Sequence, residues 1–86
     1  MSQYYGSNNL MTSTANQELV ILSAPYSSYG KFSFINDQAC HVLVNNSSPI
    51  YLRASQGLNI DKKDYSISSF IIVESSITYN FIAEVI

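Results

Sequence analysis

The chain has 86 residues and a mass of 9.6 kDa, and it is 47% apolar but only 12% charged, with a formal net charge of −2. The apolar content is too high for a disordered charged tail, and the weak negative charge argues against a nucleic-acid partner. No apolar run approaches the roughly 18 residues of a membrane-spanning helix, so we expect one small neutral domain without a membrane span.

Residues 1–16 are polar and show neither the alternation of a strand nor the period of a helix. We predict an N-terminal arm that is poorly structured, which leaves residues 17–86 as the folded domain. A disordered terminus is one interpretation of this arm. In the alternative, its larger side chains dock on a neighbouring subunit or on a host surface. These side chains are Tyr4, Tyr5, Leu10 and Met11.

From Glu18 onward, short runs of β-branched and aromatic residues are separated by clusters of Ser, Asn, Gly and Pro. The predicted strands are Glu18–Ser23, Lys31–Ile35, Cys40–Val44, Ile50–Ala54, Gly57–Ile60, Ser69–Glu74 and Ile77–Val85. Such runs, recurring about every 8–12 residues, are typical of a sandwich or a small barrel. Because the connections are short, we predict an all-β fold, a small antiparallel β-sandwich (jelly-roll-like) of about six to eight strands.

The connecting segments contain residues that interrupt strands. Pro25 cannot donate to a β-ladder and Gly30 permits positive φ, so residues 24–30 are predicted to form a loop that includes Tyr26 and Tyr29. The strongest turn signal is residues 45–49, in which two asparagines are followed by two serines and a proline.

The alternation of side chains between the two faces of a predicted strand decides whether Cys40 and His41 can act together in catalysis. Cys40 and His41 are adjacent, but neighbouring strand residues point to opposite faces, so they cannot form a nucleophile–base pair. Cys40 is predicted in the core with Val42 and Val44. His41 is predicted on the surface, as an ordinary histidine or as a pH-sensitive contact between subunits.

Other catalytic or metal-binding groups are scarce. A single cysteine excludes an internal disulfide, and Asp61 and Asp64 flank two lysines in a predicted loop, where we expect a solvated turn. We therefore predict that the chain is not an enzyme and has neither a cofactor nor a metal.

Seven tyrosines are the most informative side chains, and several lie among Ser and Asn as in adaptable recognition loops. In the alternative, these tyrosines simply suit strands and strand ends. The candidate binding residues are Tyr26, Tyr29, Asn45, Asn46, Tyr51 and Arg53. Ile50 and Leu52 are predicted to point inward, which places Tyr51 and Arg53 on the outer face of their strand. There Arg53 could pair with Glu74 of another subunit.

The C-terminal half follows a recognisable order of strands and turns. The residues concerned are Asn45, Asn46, Pro49–Ala54, Gly57, Ile67, Ser69–Glu74, Thr78 and Tyr79. This order of an Asn-rich turn, a Pro-Ile-Tyr-Leu-Arg strand, a Gly-containing loop, a Ser-Phe-Ile strand and a Thr-Tyr hairpin resembles small structural proteins of tailed-phage virions.

The resemblance implies a β-sandwich subunit of a capsid, tail or decoration assembly, located in the virion. It implies a homo-oligomer, with a trimer suggested by the phage analogy alone, and a major capsid or tail protein as partner. Low charge and abundant Tyr suit a permanent interface. The alternative function is a carbohydrate- or receptor-binding tip module that contacts a host-surface glycan through the tyrosine-bearing loops.

Overall fold

Two antiparallel β-sheets pack against each other in the computed structural model, which describes residues 3–21, 28–60 and 66–85. The strands of these residues are β1 (Gln3–Gly6), β2 (Met11–Thr12), β3 (Gln17–Glu18), β4 (Tyr29–Asn36), β5 (Cys40–Val44), β6 (Ile50–Leu52), β7 (Leu58–Ile60), β8 (Phe70–Ile72) and β9 (Thr78–Val85). One sheet has the order β1-β9-β4-β7, with β2 also paired to β9, and the other has the order β3-β8-β5-β6. The predicted all-β sandwich of antiparallel sheets is confirmed.

The alternation read from the sequence sets the inward face of both sheets. In β4, Phe32 and Phe34 are buried while the residues between and beside them are exposed. In β5, Cys40, Val42 and Val44 are buried, as predicted. Because successive side chains of a strand point to opposite faces, β4 and β5 cover the core with one face and leave the other outside.

An aromatic cluster joins the two sheets. Phe70 of β8 lies against Phe32 and Phe34 of β4, with ring centroids 4.6 and 5.0 Å apart and the ring planes tilted. Tyr29 stacks on Phe32, and Tyr79 lies beside Phe34. Burial of one such side chain contributes about 1.5–3 kcal/mol, so this cluster is a principal source of the sandwich's stability.

The N-terminal segment belongs to the sandwich, in contrast to the poorly structured arm predicted over residues 1–16. β1 pairs with β9 from Gln3 opposite Val85 to Gly6 opposite Ile82, and β2 continues along the same strand. The chain then crosses to the other sheet, where β3 pairs with β8. One continuous segment thus borders both sheets on the same side.

Ser13 fixes the point at which this segment changes sheets. Its side chain is buried, and its hydroxyl donates to the Glu74 carbonyl (2.8 Å) and accepts from the Ile77 backbone N–H (3.0 Å). The Ser13 backbone also donates to Ile77 and accepts from Ser76. These bonds hold the N-terminal segment to the link between β8 and β9.

Asn36 holds together the other side of the sandwich, where β4 leads to β5 and β6 leads to β7. Its fully buried amide donates to the carbonyls of Gln38 (2.8 Å) and Arg53 (2.9 Å), and its oxygen accepts from the Gly57 N–H (2.9 Å). The β4–β5 connection and the β6–β7 connection are therefore both hydrogen-bonded to the Asn36 side chain. A buried amide with these partners is fully engaged.

Two predicted details of the strands are wrong. β3 ends at Glu18, so residues 19–21 of the predicted strand Glu18–Ser23 are not part of it. The Glu18 carboxylate accepts the Phe70 N–H that the Leu19 carbonyl would bind if the strand continued. Ile50, predicted to point inward, is exposed at the start of β6, whereas Leu52 of the same strand is buried as predicted. Residues 22–27 and 61–65, with the predicted loop positions there, lie outside the described residues.

Candidate functional site

The position predicted for Tyr29 is wrong, because this residue begins β4 instead of lying in a loop. Its side chain is fully buried, its ring stacks on Phe32, and its hydroxyl donates to the Leu19 carbonyl at 2.7 Å. Burial, with smaller contributions from Tyr5 and Glu18, raises the pKa of Tyr29 well above its usual range. In this position Tyr29 contributes to the core and offers no surface to a ligand.

The predicted turn over residues 45–49 is confirmed, and its asparagines adopt the left-handed conformation, with φ of 51° at Asn45 and 61° at Asn46. The Asn45 side chain accepts from the backbone N–H groups of Ser68 and Ser69, and it donates to the carbonyl of Ser66. Asn45 therefore fastens the turn to the segment before β8, whereas Asn46 is exposed.

The remaining predicted binding residues are separated from this turn. Tyr51 and Arg53 are exposed, and they lie toward the far end of the β5–β6 hairpin, where Tyr51 is paired with His41. Tyr26 lies outside the described residues. Whether Arg53 contacts another subunit stays a prediction, but both oxygens of its proposed partner Glu74 are already engaged within the chain.

The Glu74 carboxylate binds His41 on the outer face of the four-stranded sheet, the face turned away from the other sheet. One oxygen accepts from the His41 backbone N–H (2.8 Å) and the other lies 2.6 Å from its Nδ1, while the ring is 5.4 Å from that of Tyr51. The side chains of His41 and Glu74 are 45% and 38% exposed. This pair therefore sits on an open surface and not in a water-excluded cleft.

The pKa values agree with this arrangement. Burial alone would raise the pKa of Glu74, but the hydrogen bonds from the His41 backbone and ring outweigh it and hold that pKa below the usual 4.5. Burial, with a smaller contribution from Glu74, raises the pKa of the Cys40 thiol to about 11. Cys40 is thus a protonated core thiol on the face opposite His41.

Exposed apolar side chains are concentrated on what we call the N-terminal edge, residues 3–12, which contains β1, β2 and the residues between them. Four large side chains of this edge are between 41% and 70% exposed. They are Tyr4, Tyr5, Leu10 and Met11. The sequence singled out these residues for docking, but it gave no signal that they lie along β9 at the border of a sheet.

A second surface feature is an open groove of about 310 Å³ on the outer face of the five-stranded sheet. Its floor and walls include Lys31, Ser33, Asn59, Ile82 and Glu84. Sequence reasoning missed this groove. The signal that was available is the alternation of Lys31 and Ser33 with buried phenylalanines, which places them outward.

Within the residues that the structure describes, no three His, Cys, Asp or Glu side chains are grouped as metal ligands. The same residues include no helix with the length and apolarity required to cross a membrane. Comparison with protein-family models, with curated protein sequences and with solved structures gives no match for this chain.

Proposed function

We propose that the chain is a non-enzymatic structural component of a phage virion, a capsid decoration or a tail or neck accessory protein, which self-assembles through its N-terminal edge. The observation that carries the self-assembly is the concentration of exposed apolar side chains along this edge. The virion location rests on the resemblance of residues 41–86 to tailed-phage structural proteins.

The N-terminal edge combines two features that favour association. An outermost strand presents backbone N–H and C=O groups that a strand of another chain can pair with. Exposed Leu10, Met11 and Tyr5 add apolar area, and such side chains are enriched in the centres of permanent interfaces. A second copy of the chain supplies both a complementary strand and a complementary apolar surface.

The sparse chemistry of the described surface supports a non-enzymatic role. The Cys40 thiol is buried on the face opposite the His41–Glu74 pair, so it cannot serve as the nucleophile of that pair. In addition, the low overall charge favours a subunit held permanently in an assembly over a monomer that relies on charge repulsion to stay dispersed.

Light scattering coupled to size-exclusion chromatography tests the self-assembly. We expect the purified chain to have a mass well above the monomer mass of 9.6 kDa. The double variant Leu10→Ser/Met11→Ser should have a lower mass, closer to that of the monomer. The matched control Ile35→Ser/Ile50→Ser removes two exposed apolar side chains away from the N-terminal edge and should leave the mass unchanged. A wild-type monomer, or a loss of association in the control alone, contradicts the proposal.

The virion location requires a separate test. An antibody raised against the purified chain is expected to label purified virions of the phage that encodes it, at a regular position on the capsid or tail. The control is the same antibody pre-absorbed with the chain. Absence of the chain from intact virions, measured by mass spectrometry, contradicts a structural role there.

A further inference from the structure

The groove on the outer face of the five-stranded sheet has an ordered pattern of polar groups. In the strand register, Asn59 of β7 lies opposite Ser33 of β4, which lies opposite Ile82 of β9. The Ser33 hydroxyl donates to Asn59 Oδ1 at 2.6 Å, which orients the amide and leaves its NH₂ group as a donor. A fixed donor therefore stands at one side of the groove.

The other walls add an acceptor, a second donor and an aromatic ring. Glu84 of β9 is paired with Tyr4 of β1, so their side chains stand on the same face of the sheet. Lys31 also lines the groove, and the Tyr4 ring is 70% exposed beside exposed Ile82. The described lining thus carries one positive and one negative group around an apolar centre.

We propose that this groove binds a neutral saccharide. A sugar ring presents hydroxyl groups that both donate and accept at its rim, and it presents C–H groups on its faces. Asn59 and Lys31 supply donors, Glu84 supplies an acceptor, and the Tyr4 ring covers a C–H face. Because the two charges of the described lining offset each other, an ionic ligand gains no net attraction there.

A host carbohydrate would then bind to a sheet face and not to the loops, which the sequence predicts as the site of glycan contact. The groove shares Tyr4 with the N-terminal edge, and its other named residues lie on β4, β7 and β9. Although Tyr4 belongs to that edge, its ring faces the groove, whereas Tyr5 points to the opposite side and contacts Tyr29. Asn59 lies on β7 at the far border of the same sheet.

A glycan array that displays neutral and anionic oligosaccharides, probed with the fluorescently labelled chain, is the first test. We expect binding to neutral glycans. No binding, or binding to anionic glycans alone, overturns the proposal.

The strongest neutral glycan is then titrated into the ¹⁵N-labelled chain and followed by NMR. We expect amide shifts centred on the groove, and affinity lowered about tenfold in Tyr4→Ser and in Asn59→Ala, since each loses one principal contact. The matched control Tyr51→Ser removes an exposed tyrosine from the other sheet and should bind as wild type does.

An equal loss of affinity in Tyr51→Ser, or unchanged affinity in Asn59→Ala, overturns the proposal. If Asn59→Ala lacks the dispersed spectrum of a folded chain, Glu84→Ala, which removes the proposed acceptor, takes its place with the same expected loss. Light scattering on the same variants separates the two proposals, since Asn59→Ala should keep the wild-type mass whether or not it binds sugar.

Discussion

Replacement of Asn36 by alanine removes the side chain that links the β4–β5 connection to the β6–β7 connection. Three hydrogen bonds are lost, and the carbonyls of Gln38 and Arg53 and the N–H of Gly57 lose their partner. A buried polar group without a partner costs about 1–3 kcal/mol, but here Gln38 and Arg53 lie at the surface, where water can replace part of the loss. We therefore expect Asn36→Ala to lower the free energy of unfolding by about 2–4 kcal/mol.

This loss is large for a chain of this size, which is stabilised by roughly 4–13 kcal/mol. Urea denaturation followed by circular dichroism measures it, with Asn80→Ala as control because Asn80 is exposed on the outer face of β9. Asn36→Asp keeps the acceptor for Gly57 but sets a carboxylate oxygen against two carbonyls, so it should destabilise at least as much as alanine. If Asn36→Ala and Asn80→Ala unfold at the same urea concentration, the reasoning is refuted.

Three further outcomes follow from the same contacts. Because folding lowers the pKa of Glu74, wild type should lose stability relative to Glu74→Gln as the pH falls through and below 4.5 and the carboxylate becomes protonated. Urea unfolding at a series of pH values measures this loss, and a stability difference that does not change with pH contradicts the role of Glu74. The Cys40 thiol should react with Ellman's reagent at pH 8 only after denaturation, and rapid reaction of the folded chain would contradict its burial. Gly57→Ala should destabilise the fold by about 1–3 kcal/mol, because Gly57 has a φ of 69° and an added Cβ would lie 2.6 Å from the Phe34 carbonyl oxygen. A thermal unfolding midpoint equal to that of wild type would contradict this expectation.

Strands with one buried face were predictable from the sequence. β5 begins and ends where the alternation of Cys40, Val42 and Val44 does, and the inward residues of β4 follow the same pattern. In these strands the pattern that is visible in the sequence is also the cause of the structure, since burial of alternate side chains is what places the strand.

The N-terminal strands were not predictable in this way. β1 and β2 carry mostly exposed side chains, so they lack a buried face that would show as alternation. They are strands because β9 offers hydrogen-bonding partners more than 60 residues away in the chain, and Ser13, next to β2, adds bonds to the equally distant Glu74 and Ile77. Composition and local pattern contain no trace of such long-range pairing.

The candidate site was predictable only in part, for a related reason. Tyr29 follows Pro25 and precedes Gly30, which locally favours a loop, yet the Leu19 carbonyl and the Phe32 ring draw it into the core. Asn45 is a residue type typical of turns, and the sequence predicts its turn correctly. Its side chain is nevertheless occupied by Ser68 and Ser69, which lie more than 20 residues further along the chain. Residue type identified the candidates, and tertiary contacts decided their availability.

Hydrogen–deuterium exchange, measured by mass spectrometry over a range of chain concentrations, tests most directly whether the N-terminal edge joins copies of the chain. Among the described strands, β1 has β9 on one side only, so its outward amides should exchange readily in dilute solution and become protected as copies associate. We predict that protection rises with concentration in residues 3–12 and stays constant in β6 and β7 at the opposite side. Concentration-independent exchange in residues 3–12, or protection that rises only in β6 and β7, would contradict the account.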